Sequence, residues 1–545
     1  MFTTLFLHIP IIFTNIAQYV VSSPTKGTTT KTFCFNSPLP TMGIYHNINK
    51  DFKVLMTTWI FVFIACGLFM YFAGLYNFCY REQWETFIYD GIYIDSILYS
   101  FGGIARLIAN WFIQFFAFPI ISITITAFLL SSATTLLVYT LQRITKSYHL
   151  LPLSLLPTTS LMLLLYNDNC NYCYLISFVL MTMSLAIHVS ISKHIPRYIS
   201  SLTVSILLLL IAGPIATLYC CLVLIIELCH NWRNGLFYLS HPTIIIILAL
   251  IFLQISWVGS WEHLLLPDGY FTLRLKSGSS MYLPYTMSIV IFAIACIYRH
   301  FTLHNKSIIY TLFIAEFVCV ILFVSLNTPK YISRDNESFK YLNYLVRFEK
   351  WNDIIVHSKQ LPMTNVLHQN IFNMALAEKE RLSDEFLNYP NIGVQSLLIS
   401  GVKNPYITAM LSDIYFSMGH IAFAQRYAFE ANESFGNYSP KLLKRLALTS
   451  AIYDNKPLAI KYISLLEKTL FYRDWATELR SALESNTSSP LAKRLQTKKA
   501  CLFPDNRFSG SMGIDKDLEE ILKTNPAHST TSQYLKVIQF CLNTK

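Results

Sequence analysis

The chain has 545 residues, of which 53% are hydrophobic and 13% charged, and its formal net charge is +11. A soluble domain carries about 25% charged residues, so this composition excludes a wholly soluble globular protein. The positive surplus is spread thinly, with no Lys/Arg-rich block interleaved with aromatics, so no nucleic-acid surface is read.

The charge is unevenly placed. Residues 1–327 hold 15 Lys/Arg and 10 Asp/Glu, and residues 328–545 hold 27 and 21. The first stretch has the makeup of lipid-embedded protein and the second that of a soluble domain. The expected organisation is an N-terminal extension over 1–53, a transmembrane helix bundle over 54–327, and a soluble helical-repeat domain over 328–545.

Residues 1–21 are apolar but contain Pro10 and lack a basic leading region, so they make a poor signal peptide. Residues 22–50 are polar and read as disordered. Met42 and Met56 offer alternative starts before a better apolar segment.

A spanning helix needs about 20 apolar residues, because the hydrocarbon core is about 30 Å thick and a helix rises 1.5 Å per residue. The first good span is 54–76. The mixed stretch YREQWETFIYDGIYIDSILYSFGGIAR (80–106) follows, and 107–142 is an uncharged run too long for one upright helix. Pro119 divides that run into an in-plane helix over about 104–117 and a span over about 119–141. In-plane helices are thus expected within 80–117. Further spans fall at 148–165, 172–191, 242–258, 283–298 and 308–326.

Between 172–191 and 242–258 lies an apolar run over 199–229, about 31 residues and roughly 46 Å as one helix. Gly213-Pro214 sits at its middle. Proline lacks an N–H and glycine tolerates turn backbone, so a hairpin of two short helices is expected. Charge supports the hairpin. With it, Arg143/Lys146, Lys193/Arg197, Arg233 and Arg299/Lys306 all fall on one side, as the positive-inside rule asks. The count is then about nine spans, integral to the inner membrane, with the C-terminal domain on the outer, periplasmic side.

The tail is helical by pattern. YFSMGHIAFAQRYAFEA (415–431) and IYDNKPLAIKYISLLEKT (452–469) align Gly419 with Asn455, Ala424 with Ile460 and Tyr427 with Ile463, a period of about 36 residues. FEKWNDIIVHSKQL (348–361), with Trp351 after its turn, and LEEILKTNPAHSTTSQYLKVIQFCL (518–542), with its Asn525-Pro526 break, have the same shape. Such helix pairs cannot bury their apolar faces alone and stack into a tetratricopeptide-like α-solenoid. The fold class is therefore all-α.

No nucleophile elbow, P-loop, dinucleotide fingerprint or HExxH motif is present. The 12 cysteines fall mostly in apolar runs, where Cys acts as a small hydrophobe. Cys170 and Cys173 form one CxxC with neither a second pair nor a His ligand set. The loop 80–106 carries Glu82, Glu85, Asp90 and Asp95 and closes with Gly102, Gly103 and Arg106. Carboxylates there can bind a divalent metal with a phosphate or act as a general base; the plainer reading is the polar face of an in-plane helix. The loop 261–284 brings Glu262, His263, Asp268, Arg274 and Lys276, and Arg274 and Lys276 suit a lipid-linked phosphate or plain headgroup contact. Within the spans, Glu316 must face the bundle interior, since an acid at the bilayer centre costs about 2.5–3.5 kcal/mol. His188 reads as a helix–helix contact and Glu227 as a span-end residue.

Two stretches carry a resemblance. One runs from Gln83 through Phe101-Gly102-Gly103 to Trp111-Phe112-Ile113-Gln114-Phe115-Phe116-Ala117-Phe118-Pro119. The other comprises Ala424-Gln425-Arg426-Tyr427-Ala428-Phe429-Glu430, Leu442-Leu443-Lys444-Arg445-Leu446-Ala447 and Phe471-Tyr472-Arg473-Asp474-Trp475-Ala476. Together they resemble a family of uncharacterised bacterial multi-pass membrane proteins with a C-terminal helical-repeat region, from about residue 54 onward. The resemblance implies architecture and no activity; Phe101 stands where the family has proline. In layout alone the chain also resembles the GT-C membrane glycosyltransferases. That likeness implies an acidic outer-loop residue at Asp90 or Asp95, or at Glu82.

Three functions follow as expectations. The first is an envelope scaffold whose exported tail recruits a protein partner on the solenoid's concave face. The alternative is a GT-C-like transferase taking a lipid-linked sugar, with Asp90 or Asp95 as base or divalent-metal ligand and Arg274 and Lys276 on phosphate. The third is a transporter, suggested by the broken run 199–229 and Glu316.

Overall fold

The computed structural model describes residues 41–273, 278–300, 305–401, 404–484, 489–503 and 513–543. The expectations for residues 1–40, and for Arg274 and Lys276, lie outside them. The regular structure of the described residues is helical, with one isolated bridge between Cys170 and Thr272 and no strand among them.

The chain divides into two compact units. The first comprises Met1–Ala73, Ile97–Ala109 and Ile123–Ile332; the second comprises Gly74–Ser96, Asn110–Ser122 and Ser333–Lys545. The stretch 80–117 is thus shared between them.

In chain order the helices are α1 (Thr41–Gly74), α2 (Asn77–Glu82), α3 (Gly91–Leu98), α4 (Gly103–Ile113), α5 (Pro119–Thr145), α6 (Leu155–Leu164), α7 (Cys173–Ser190), α8 (His194–Ala212), α9 (Ile215–His230), α10 (Ser240–Gln254), α11 (Leu283–Tyr298) and α12 (Lys306–Tyr331). Among the described residues, seven helical stretches are long and apolar enough to cross a membrane: Lys50–Gly74, Pro119–Thr145, Cys173–Ser190, His194–Ala212, Trp232–Gln254, Ser279–Tyr298 and Lys306–Tyr331. This is a membrane protein. The other two expected spans correspond to shorter apolar helices, α6 and α9. α1 starts at Thr41, inside the stretch read as an extension.

The long apolar run breaks where its sequence predicts. Gly213 takes φ +72° between α8 and α9, which pack on one another. The need for glycine there is steric as well as conformational. The Tyr270 ring lies about 3.0 Å from where a Cβ on Gly213 would sit, and the Tyr270 hydroxyl lies 2.1 Å from a Cβ on Gly102. That hydroxyl donates to the Phe101 carbonyl (3.1 Å), and the Gly102 amide donates to the Leu210 carbonyl (3.1 Å).

The second unit carries α13 (Arg334–Arg347), α14 (Trp351–Ser358), α15 (Val366–Glu378), α16 (Pro405–Ser417), α17 (Ile421–Ser434), α18 (Pro440–Ile452), α19 (Lys456–Glu467), α20 (Arg473–Glu484), α21 (Pro490–Lys499), α22 (Ile514–Thr524) and α23 (Ser529–Asn543). Their starts are written locally. Asn404, Ser439 and Ser489 each accept a backbone N–H of the following turn, with proline next in sequence. These are the residues that satisfy orphan amides and pre-set the first turn. α16 and α17 pack together, as do α18 and α19. The left-handed turn residues of these pairs are Gly419 (φ +83°) and Asp454 (φ +56°), followed by the caps His420 and Asn455. Gly419 therefore matches Asp454, one position away from the alignment drawn on sequence. Fully buried Ala424, Ala428 and Ala431 on α17 and Ala459 and Ile463 on α19 face the core of this unit.

Tyr80 and Trp84 belong to the same core. Trp84 stacks on Phe435 at 4.6 Å, and the Ser439 hydroxyl donates to the Gln83 carbonyl at 2.9 Å. Aromatic rings of this size dominate core energetics, so the segment after α1 is built into the second unit.

Candidate functional site

The second unit encloses a cavity of about 540 Å³. Six cations line it: Arg347, Lys441, Lys444, Arg445, Arg494 and Lys498. Three carboxylates do so too: Glu349, Glu378 and Asp413. The aromatic lining is Trp351, Phe416, Tyr472 and Trp475. Helix geometry explains the concentration. Lys441, Lys444 and Arg445 are three and four residues apart on α18, and Arg494 and Lys498 are four apart on α21, so each set shares a face.

Some of these charges are matched. Asp413 accepts from Lys441 (2.8 Å) and Arg445 (2.7 Å), which together hold its carboxyl below the ordinary range despite its burial. Glu349 pairs with Arg494. Arg347 donates to Glu82 Oε2 (2.7 Å) and to the Tyr472 hydroxyl (2.9 Å). Glu82 is fully buried; burial pushes its carboxyl up and Arg347 opposes the shift.

Others are not. Lys444 Nζ lies 4.7 Å from the Trp475 ring centroid and has neither a hydrogen bond nor an ion pair among the described residues. Burial, with Arg347 adding repulsion, pushes it down to about 8. Lys498 Nζ donates to the Ser417 carbonyl (3.0 Å) and meets His528 Nε2 (3.0 Å), both neutral partners. Burial pushes Lys498 down to about 8, and burial plus Lys498 pushes His528 down to about 3. Arg445 Nε is a buried donor without an acceptor. Three cations crowd one ring: Arg445 at 3.8 Å, Lys498 at 5.3 Å and Arg494 at 5.7 Å from the Phe416 centroid. Such a cluster repels itself at low dielectric.

The residues singled out on sequence lie elsewhere. Asp90 pairs with Lys468 Nζ at 2.5 Å, which holds its carboxyl below the ordinary range. Asp95 is exposed on α3. In the first unit, His188 Nε2 is hydrogen-bonded to Glu227 Oε1 (3.0 Å), which also accepts from Arg197 Nη1 (3.1 Å). Glu316 is half-buried on α12, with its Oε2 buried and lacking a hydrogen-bond partner. His263 Nδ1 meets the Gly269 carbonyl (2.9 Å), and Asp268 accepts from Thr272 (3.2 Å). Cys170 and Cys173 are both buried. Among the described residues no cluster of His, Cys, Asp or Glu is arranged to hold a metal.

Sequence reasoning passed over the cavity cations. The signal present was spacing: Lys441, Lys444 and Arg445 lie three and four residues apart, and Arg494 and Lys498 four apart, as on one face of a helix.

Residues 50–544 match the model of a protein family described as "Family of unknown function (DUF6057)". No curated protein and no solved structure matches the chain.

Proposed function

The chain belongs to this family of unknown function, and from the geometry of its second unit we propose that it is a membrane-anchored binding protein. In this reading nine spans hold it in the inner membrane, α6 and α9 crossing as short helices. The basic inside loops of that arrangement support a tail on the outer side. The tail is a tetratricopeptide-like solenoid acting as an envelope scaffold, and it recruits a partner by taking an anionic group into the cavity. The observation that carries the reading is the cavity's excess of cations over carboxylates within a binding-sized volume. The transferase alternative has Asp90 tied to Lys468 and Asp95 exposed, and no observation favours it.

Native mass spectrometry of the full chain, extracted in mild detergent, tests the reading. An anionic species is expected on the wild type and absent from the Lys444→Met/Lys498→Met double variant. Identical spectra would count against a binding role for the cavity. A reporter fused after Lys330 tests the sidedness, and activity confined to the cytosol would overturn it.

A further inference from the structure

Resting on the reading of the cavity as a binding site, we infer that its ligand is a phosphate carried beside a ring, held between Lys444, Arg445 and Lys498 and flanked by Trp475. Charge count selects phosphate. Six cations face three carboxylates in the wall, and Glu82 balances Arg347 from behind it. A surplus of two positive charges is left. A carboxylate carries one charge, whereas a phosphate monoester carries about −1.5 to −2 at neutral pH.

Donor geometry points the same way. Arg445 spends one Nη on Asp413 at 2.7 Å, and its Nε is a buried donor awaiting an acceptor. Guanidinium forks suit phosphate oxygens, and lysine ammonium adds point charge. Among the described residues Lys444 has no hydrogen-bond or ion-pair partner and Lys498 has only neutral ones. Burial first, and neighbouring arginines after it, push both lysines down to about 8. The ring requirement comes from the walls: the Trp475 ring lies beside Lys444, and Trp351 and Tyr472 line the same cavity. A volume of about 540 Å³ accommodates a phosphorylated monosaccharide or mononucleotide.

The test is calorimetric titration of the full chain in lipid nanodiscs at constant ionic strength and pH 7. The probes are glucose 1-phosphate, uridine monophosphate, inorganic phosphate, glucose and citrate. Either ring-bearing phosphate is expected to bind at least about tenfold tighter than inorganic phosphate, with glucose and citrate weaker still. Lys444→Met and Lys498→Met should each lower that affinity at least about tenfold, and Lys444→Arg should restore most of it. A second arm compares nanodiscs with and without phosphatidic acid. Competition by that lipid assigns the phosphate to a lipid headgroup, and its absence assigns it to a soluble molecule. Citrate binding as tightly as the phosphates would overturn phosphate selection and leave the anion site standing. No binding by any anion would overturn both. Unchanged affinity in folded Lys444→Met and Lys498→Met would also sink the assignment.

Discussion

Each unit buries a cluster of charges, and the two clusters are built on opposite plans. In the first unit a single carboxylate oxygen of Glu227 takes both His188 and Arg197, and Glu227 is only 2% exposed. Both of its cationic side chains reach the one carboxylate, and His188 Nδ1 is buried without a hydrogen-bond partner. In the second unit, carboxylates answer Lys441, Arg445, Arg494 and Arg347, while among the described residues Lys444 and Lys498 have none within ion-pair distance. Charge that is matched inside a protein fixes helices against one another; charge left over is an expense to folding that only a ligand can offset.

Breaking the first unit's cluster gives the largest effect. Glu227→Ala leaves Arg197 and His188 without their anion, and a broken buried pair costs about 3–5 kcal/mol. The expected result is a large fall in melting temperature of the purified protein, with Glu227→Gln milder. Phosphate affinity of the folded remainder should not move, since the cluster lies in the other unit. An equal loss of affinity would erase the distinction between the clusters.

The open cluster should respond with the other sign. Lys498→Met removes a buried cation that forms no ion pair among the described residues and should stabilise the ligand-free protein by about 1–3 kcal/mol. The folded-state value of Lys498 is lowered, to about 8 from 10.5. The unfolded chain therefore binds more protons between those values, and wild-type stability should rise with pH across that window. Lys444 is lowered over the same window, so the variant should keep only the smaller rise that Lys444 contributes. Thermal melts at pH 7, 8, 9 and 10 read both effects, and destabilisation by Lys498→Met would mark the lysine as structural.

Ligand affinity should follow the same protons. Lys444 is surrounded by Arg347, Glu349, Arg445 and Arg494, and Lys498 by Glu378, Cys501, Arg494, Arg445 and His528. His528, pushed down to about 3, stays neutral throughout. Above about pH 8 both lysines lose charge, so affinity for glucose 1-phosphate should drop about tenfold between pH 7 and pH 9. A flat profile would remove the lysines from binding.

How much of this was readable depends on how far apart the partners lie in the chain. The break at Gly213-Pro214 is local, and the sequence pattern locates it; the helix starts at Asn404, Ser439 and Ser489 are local too, but were not read from the sequence. The alignment of Gly419 missed by one residue because Asp454, rather than Asn455, takes the left-handed turn. Both residue types tolerate that conformation, so composition alone could not choose. Glu82 read as a membrane-face acid because its partner Arg347 is 265 residues away. The cavity was half visible: spacing puts Lys441, Lys444 and Arg445 on one face of α18. Nothing in the spacing brings Lys498 of α21 to the same Phe416 ring.

The smallest expected effect falls on the pair first suspected of chemistry. Asp90 and Lys468 meet at 2.5 Å, but the lysine is 47% exposed. Screening by water and salt limits such pairs to about 0–1 kcal/mol. Lys468 holds the Asp90 carboxyl below its ordinary range, so the stability it adds is present above pH about 4 and lost as pH falls further. Asp90→Asn should therefore shift the melting temperature by no more than a few degrees at pH 7, and by progressively less as pH falls below about 4. Together with Asp95→Asn it should leave glucose 1-phosphate affinity intact. Loss of a glycan phenotype in cells carrying the double variant, at unchanged protein level, would instead restore the carboxylates to a catalytic role and move the working site out of the cavity.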